Sequence, residues 1–536
     1  MDTGNMANGF EFHVPSLVQT AQSEQMVSAE VGREFVLPDY QPEIRKLLRV
    51  TPTVQPPSRF LGADEAEFAG NVCFDVLYMG GDGGLYTVDL SAPYSFRTSI
   101  SGDDRTVGDR PLCLNAALTA EGINARPLAP RKLKIGCRLN AHIAEFGDRE
   151  IDMRVADPSL NCQRLEQTRL CARTYSGIGE AMELTEEIPV PAGEGELRLI
   201  GTEGAVQITE AIPTEMGVEC RGELHLKLHL TRDPFTHGET GGADSFHKSF
   251  ETVTRRIPFT QTVEMPSFAL GQEQGATAFG CCSEITARVE EDVLLCAATV
   301  VLEASVQGNE RVTFVRDCYA TGRPTECEML TYTYCRAVCC VNGNVTSGGT
   351  FHRAQAGIPN GIMPLDLSGS GAVTGITVER GHAVLTGDCT YRLLYRNAES
   401  EIGYAEFHLP LRYELPEGGL SGDQTLLADA RLSMLGGRIR SEGDEEYTVD
   451  AEWAVAARVY TREQIKAVDE VRVTGEAAPM DGTYLLCYPS SEDTLWSVAK
   501  RYRTSLRGLA ASNDLSGAAD PADVKSLEGV LFLMIL

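Results

Sequence analysis

The stretch Gly70-Asn71-Val72-Cys73-Phe74-Asp75-Val76-Leu77-Tyr78 sets Val72, Phe74, Val76 and Tyr78 on one side of the chain and polar or small residues on the other. That two-residue period is the mark of a half-buried β-strand. Gly80-Gly81-Asp82-Gly83-Gly84 follows, offering the positive-φ positions that a tight reversal needs. Leu85-Tyr86-Thr87-Val88 then resumes the alternation and Pro93-Tyr94-Ser95-Phe96 closes the segment. Together they predict a hairpin.

The same template returns twice. Gly387-Asp388-Cys389-Thr390-Tyr391-Arg392-Leu393-Leu394-Tyr395 leads through a polar turn at Asn397 to Ser400 into Leu409-Pro410-Leu411. Gly70 and Pro93 stand 23 positions apart, as do Gly387 and Pro410. Gly222-Glu223-Leu224-His225-Leu226-Lys227-Leu228-His229-Leu230 closes at Ile257-Pro258-Phe259, with 36 positions between Gly222 and Pro258. The additional 13 positions fit an insertion in the polar turn around 231–246, since loops absorb insertions. A further alternating segment follows each hairpin: Cys137 to Ile143, Val293 to Ala304 and Tyr447 to Tyr460.

A period of this length exceeds the ~20–50 residues of solenoid repeats. It predicts three antiparallel β-rich modules in series, at 32–165, 180–315 and 325–475, after an N-terminal segment 1–31. Pro42 suits a first helical turn, and Ile44, Leu47 and Leu48 share a helical face, so a short helix is expected to lead into the first sheet. Glu442 to Glu446 reads as a solvated hairpin turn.

Residues 482–536 change character. Tyr484-Leu485-Leu486-Cys487-Tyr488 reads as a strand. In the segment after it, Leu495, Val498, Ala499 and Tyr502 fall on one helical stripe, with Asp493 as the expected N-cap. Thr504 is the expected cap of a second helix that carries Leu506, Leu509, Ala510 and Asn513 on one face. Leu531-Phe532-Leu533-Met534-Ile535 supplies a closing strand, giving the order β-α-α-β. Five basic and six acidic side chains fall in this segment, so the chain's negative excess lies upstream. Lys500, Arg501, Arg503 and Arg507 cluster here as a basic face suited to an acidic partner. Trp496 lies off the apolar stripe, a position open either to core packing or to an exposed contact.

The element Leu37-Pro38-Asp39-Tyr40-Gln41-Pro42-Glu43-Ile44, followed by Gly-x-Val-x-Phe-x-Val-Leu-Tyr and Pro-Tyr-Ser-Phe, resembles the SPOCS domain of spore-forming Firmicutes. The first copy carries the likeness; the later two lack the Leu-Pro-Asp-Tyr element. Asp493-Thr494-Leu495-Trp496-Ser497-Val498-Ala499-Lys500-Arg501-Tyr502 and Ser512-Asn513-Asp514-Leu515 resemble a LysM domain. The chain departs from that family at Glu492-Asp493, where Gly-Asp is usual, and at Leu527-Glu528-Gly529, where Pro-Gly-Gln is usual.

Tandem SPOCS-like modules ending in a LysM resemble spore-envelope morphogenetic proteins of the SipL type, functionally similar to SpoVID. The resemblance implies a non-enzymatic coat-assembly scaffold in the mother-cell cytosol at the forespore surface, docking through its LysM onto a SpoIVA-like coat basement-layer ATPase. The modules would contact other coat proteins or self-associate. The residues so implied in binding are Glu492, Asp493, Thr494, Leu495, Trp496, Lys500, Asn513, Asp514 and Leu515. Peptidoglycan containing N-acetylglucosamine is the alternative ligand.

Composition narrows the remaining classes. The 536 residues carry a formal charge of -29, a field that repels nucleic-acid phosphates and anionic lipid. Hydrophobic content of 43% and charged content of 23% are those of a folded soluble chain. The first twenty residues show no basic, apolar and small-residue succession of a secretory signal, and the apolar run Val530 to Leu536 is far shorter than the ~20 residues of a membrane span. The sixteen cysteines are too sparse for a disulfide scaffold and are expected to be reduced, mostly core thiols. Cys318, Cys327, Cys335, Cys339 and Cys340 lack the paired spacing of a zinc site. His225 and His229 alternate with leucines, which places both on the polar face of a strand. No phosphate loop, nucleophile elbow or His-Glu-x-x-His occurs, so neither enzyme nor cofactor is expected.

Overall fold

In a computed structural model, the protein is described over residues 16–62, 65–99, 113–193, 195–233, 249–265, 274–290, 292–422, 425–443, 445–476, 484–515 and 520–535. It is mainly β. The first module contains β1 (Ser16–Val36), β2 (Ile44–Val54), β3 (Ser58–Leu61), β4 (Glu65–Gly80), β5 (Leu85–Ser99), β6 (Cys113–Ala129) and β7 (Lys132–Ile151). β4 lies between β5 on one side and β2 with β3 on the other, while β7 lies between β1 and β6. Two antiparallel sheets thus sandwich a core of Val72, Phe74, Val76, Tyr78, Leu133, Ile135 and Leu139.

The other modules repeat this wiring. After the short β8 (Arg154–Val155), the second contains β9 (Cys162–Ile178), β10 (Met182–Pro189), β11 (Glu196–Thr214), β12 (Gly217–Asp233), β13 (Ser249–Glu264), β14 (Gln274–Glu290) and β15 (Val293–Ala320). Its sheets run β11-β12-β13 and β10-β15-β14, with β9 also on β15. The third contains β16 (Thr325–His352), β17 (Met363–Glu379), β18 (His382–Arg396), β19 (Ile402–Glu414), β20 (Leu426–Glu442) and β21 (Glu446–Val473), paired as β17-β18-β19 and β16-β21-β20.

Register shows that the repeat is structural. Asn71 faces Pro93, Glu223 faces Pro258 and Asp388 faces Pro410, each pair beginning one residue after the template's glycine. The prolines lie on strands that are outermost in their own sheets, where a missing amide donor breaks no ladder. The three expected hairpins, the turn at 397–400 and the turn before β21 are all present. Most of the expected insertion, 234–248, lies outside the described residues.

Three expectations change. The region 42–50 is not a helix: β2 begins at Ile44 and pairs with β4. Its register shifts between Ile44 and Lys46 and again between Leu47 and Arg49. Each bulge inserts a residue, so the apolar side chains acquire a spacing that mimics one helical face. The first module also begins earlier than 32, since β1 starts at Ser16 and pairs with β7 along its length. In the second module β9 and β10 together take the place of β1, so that module starts at Cys162, ahead of the expected 180.

Although serial along the chain, the modules converge in space. β1 meets β16 at Thr20 and Tyr334, joining the first and third modules into one sheet of order β20-β21-β16-β1-β7-β6. At one end, an apolar cluster takes the same positions from each module: Leu48, Ile200 and Leu365 from the second strands, and Leu85, Phe250 and Ile402 from the fourth. Leu77 and Leu394 occupy matching positions on the third strands, where the second module has His229. A second cluster gathers Val18, Ile151, Cys171, Phe314, Tyr334 and Ile465 from all three modules.

Candidate docking unit and its seat

Past the third module, β22 (Leu485–Cys487), α1 (Leu495–Tyr502), α2 (Leu506–Ser512) and β23 (Leu533–Ile535) form the expected β-α-α-β order, with β22 antiparallel to β23. Leu495, Val498, Ala499, Leu509, Leu533 and Ile535 are its buried core, with Tyr502 packed against them. The caps sit one residue later than expected. Thr494 caps α1: its hydroxyl accepts from the Ser497 amide at 3.0 Å, and the Ser497 hydroxyl accepts from the Thr494 amide at 2.9 Å. This reciprocal capping box satisfies two otherwise unpaired donors. Ser505, not Thr504, caps α2.

Asp493 instead closes the preceding turn, accepting from the Ser490 amide at 2.9 Å and pairing with Arg501. The Arg501 hydrogen bond and that amide hold its carboxyl down at about 2. Asn513 stitches α2 to β23: its amide donates to the carbonyls of Leu509 and Met534, both at 2.8 Å, and its oxygen accepts from the Met534 amide at 2.6 Å. Asp514 is exposed at φ 54°, Leu515 packs on the core and Glu492 is exposed. Leu495 is interior.

Trp496 and Lys500 have a different role from the rest. The Trp496 indole packs edge-on against Tyr319 of β15 with ring centroids 5.0 Å apart, and its Nε1 donates to Asp317 Oδ2 at 2.8 Å. Lys500 Nζ donates to Asp317 Oδ1 at 2.5 Å. Tyr319 Oη donates to the Thr504 carbonyl at 2.8 Å, and Leu165 of β9 joins the same apolar cluster. The helical side of the unit is therefore seated on the second module, and the acidic partner of Lys500 lies within the chain. Asp317 and Tyr319 were not foreseen from sequence. The available signal was Trp496 itself, a large side chain off its own helix's stripe.

The strand side is open. Tyr484, Leu485, Leu486, Tyr488, Leu531 and Phe532 are exposed, and the Tyr488 and Phe532 rings lie 6.4 Å apart.

Polar groups also meet where the modules converge. Arg49 of β2 binds Glu203 of β11 at 2.7 Å and Asp366 of β17 at 3.1 Å, while Lys227 of β12 bridges Asp366 at 2.9 Å and Glu203 at 3.2 Å. Burial opposes the charge on Glu203, yet Lys227 and Arg49 hold it well below the usual carboxylate range. Farther along, Glu303 of β15 binds Arg59 of β3 and Arg431 of β20, each at 2.8 Å. Each joint draws on all three modules. Between the modules lies a cavity of about 1640 Å³ whose wall includes Thr51, Asp75, His225, Lys227 and Arg392.

Glu203, His229 and Asp366 offer donor atoms within 4.8 Å of one another. A divalent ion there would face the fixed charges of Arg49 and Lys227, so these residues fit an ionic joint and not a metal centre. His225 and His229 do lie on the face of β12 turned away from its own core, as the alternation requires. The fifteen cysteines whose side chains are described are free thiols.

The fold and site define a chain of three like-wired β-sandwiches carrying a small β-α-α-β unit. The chain matches no protein-family model, no curated protein and no solved structure.

Proposed function

We propose that the chain is a non-enzymatic scaffold for spore-coat assembly, of the SPOCS-plus-LysM kind, acting in the mother-cell cytosol at the forespore surface. Its C-terminal LysM-type unit docks onto a SpoIVA-like basement-layer protein, and its sandwich modules form the rigid body behind that contact. One observation carries this reading: the unit spends its helical side on the second module and leaves the strand side exposed. Contiguous exposed apolar side chains on a soluble protein mark interaction surfaces, and Leu531 (82% exposed) and Tyr488 (73% exposed) stand at its most open points. Among the described residues, no helix is long and apolar enough to cross a membrane.

The site residues divide accordingly. Asp493, Thr494, Leu495, Asn513 and Leu515 shape the unit, Trp496 and Lys500 seat it, and Glu492 and Asp514 remain on the surface. Docking then rests on the strand side. In a pull-down with purified basement-layer protein, Tyr488→Asp and Leu531→Asp in the full chain should each weaken capture about tenfold, as expected for interface anchors. Capture unchanged by both substitutions, or by removing 482–536, would sink the proposal.

The exposed rings of Tyr484, Tyr488 and Phe532 also suit stacking on sugar rings, which keeps N-acetylglucosamine of peptidoglycan as a second reading. Retention on purified peptidoglycan that soluble chitooligosaccharide competes away would favour it over protein docking.

A further inference from the structure

Beneath the seated C-terminal unit, three cysteines from separate strands come together. Cys318 near the end of β15 is buried, and Cys162 at the start of β9 and Cys327 near the start of β16 pack on it at partial exposure. Cys162 and Cys327 both lie close enough to the Cys318 thiol to influence its ionisation, and the Cys327 thiol donates to the Cys318 carbonyl oxygen at 3.0 Å. The cluster adjoins the seat directly: Asp317 and Tyr319, which flank Cys318, hold Trp496, Lys500 and the Thr504 carbonyl. Asp317 also accepts from the Cys318 amide at 2.9 Å.

We propose that Cys318 and Cys327 form a dithiol–disulfide site, closed by a low-molecular-weight disulfide of the oxidised-glutathione class, with Cys327 as the attacking thiol. Thiolates are the reactive form, and cationic or hydrogen-bond-donating surroundings favour them. The Cys318 thiol, and then the Lys500 ammonium, hold Cys327 below the usual thiol range, against the pull of burial and of Asp317 in the other direction. By contrast, burial pushes the partly exposed thiols Cys282 and Cys339 up to about 12.

The exchange balances in two steps. The Cys327 thiolate attacks one sulfur of glutathione disulfide, forming a mixed disulfide and releasing one glutathione thiolate, which takes a proton from water. Cys318 then attacks Cys327 Sγ, breaking the mixed disulfide, and its proton passes to the departing sulfur, so the second glutathione leaves as a thiol. Two protein thiols are oxidised to one disulfide, and one glutathione disulfide is reduced to two thiols. The bond would span residues 319–326 and pin the connection between the second and third modules beside the seat.

The test uses the reduced full-length chain, exposed first to limiting iodoacetamide at neutral pH and, separately, to a glutathione-disulfide buffer, with peptide mapping by mass spectrometry. Cys327 should alkylate at least about tenfold faster than Cys282 and Cys339. The first internal disulfide should join Cys318 to Cys327, and Cys318→Ser should trap glutathione on Cys327. Alkylation of Cys327 no faster than the two comparison thiols, or a first disulfide between any other pair, overturns the proposal. These measurements on the unsubstituted chain stand even where Cys318→Ser disturbs folding.

Discussion

Asp75 lies five residues after the glycine of the first hairpin, on the face of β4 turned away from the module core, and lines the central cavity. Lys227 and Arg392 hold the matching positions in the other modules. Burial pushes the Asp75 carboxyl up to about 6, although the nearby Arg49 pulls the other way. An unfolded aspartate titrates near 4, so between about pH 4 and 6 the folded chain holds a proton that the unfolded chain lacks. The stabilisation from this group is complete below pH 4 and declines as pH rises through 6. Asp75→Asn should therefore raise stability by about 3 kcal/mol at pH 7 and leave it little changed at pH 4. Urea unfolding at the two pH values checks this, and equal effects at both would refute it. Trp496 gives a second test at this scale. Lys500→Glu sets a carboxylate against Asp317 and should unseat the unit, making one of the two tryptophans newly accessible to acrylamide; Trp453 stays fully buried. Unaltered quenching would contradict the seating.

At the scale of elements, the template's glycine marks where the second strand loses register with the third. Opposite Gly222 and Gly387 the second strand bulges, at Thr209 and Thr374, and opposite Gly70 it breaks at Gln55-Pro56-Pro57 between β2 and β3. A methyl group added at Gly222 would stand 2.2 Å from the Gln207 carbonyl oxygen, and at Gly387 2.4 Å from that of Ala372. At Gly70 it would meet only the tip of Tyr94, at 2.6 Å. Gly222→Ala and Gly387→Ala should therefore each cost about 1–3 kcal/mol, and Gly70→Ala less, as read from thermal unfolding; an equal or reversed order would refute the difference. The hairpins were legible because alternation and turn glycines are local signals. β2 was misread because two bulges, set by its pairing with β4, disguise its period. In the C-terminal unit both helices were visible in the spacing of their apolar residues. Their caps were displaced by one residue because Thr494 and Ser505 reach the free amides, while Asp493 is taken by Ser490 and Arg501.

For the whole molecule, the sequence indicates three modules and says little of how they meet. Convergence depends on charged side chains from segments hundreds of residues apart, such as Arg49 and Asp366, and no local periodicity marks them. The seat of the C-terminal unit is likewise a contact between distant parts of the chain. Removing one partner of a buried ion-pair network leaves the others uncompensated and costs about 3–5 kcal/mol. In separate beads that loss would stay in one module, whereas in a shared centre it spreads. Hydrogen exchange of the full-length Asp366→Ala chain in mild denaturant, followed strand by strand, distinguishes the two. The shared centre requires β4, β12 and β18, the middle strands of the three hairpin sheets, to lose protection together; loss confined to β17, β18 and β19 would contradict it.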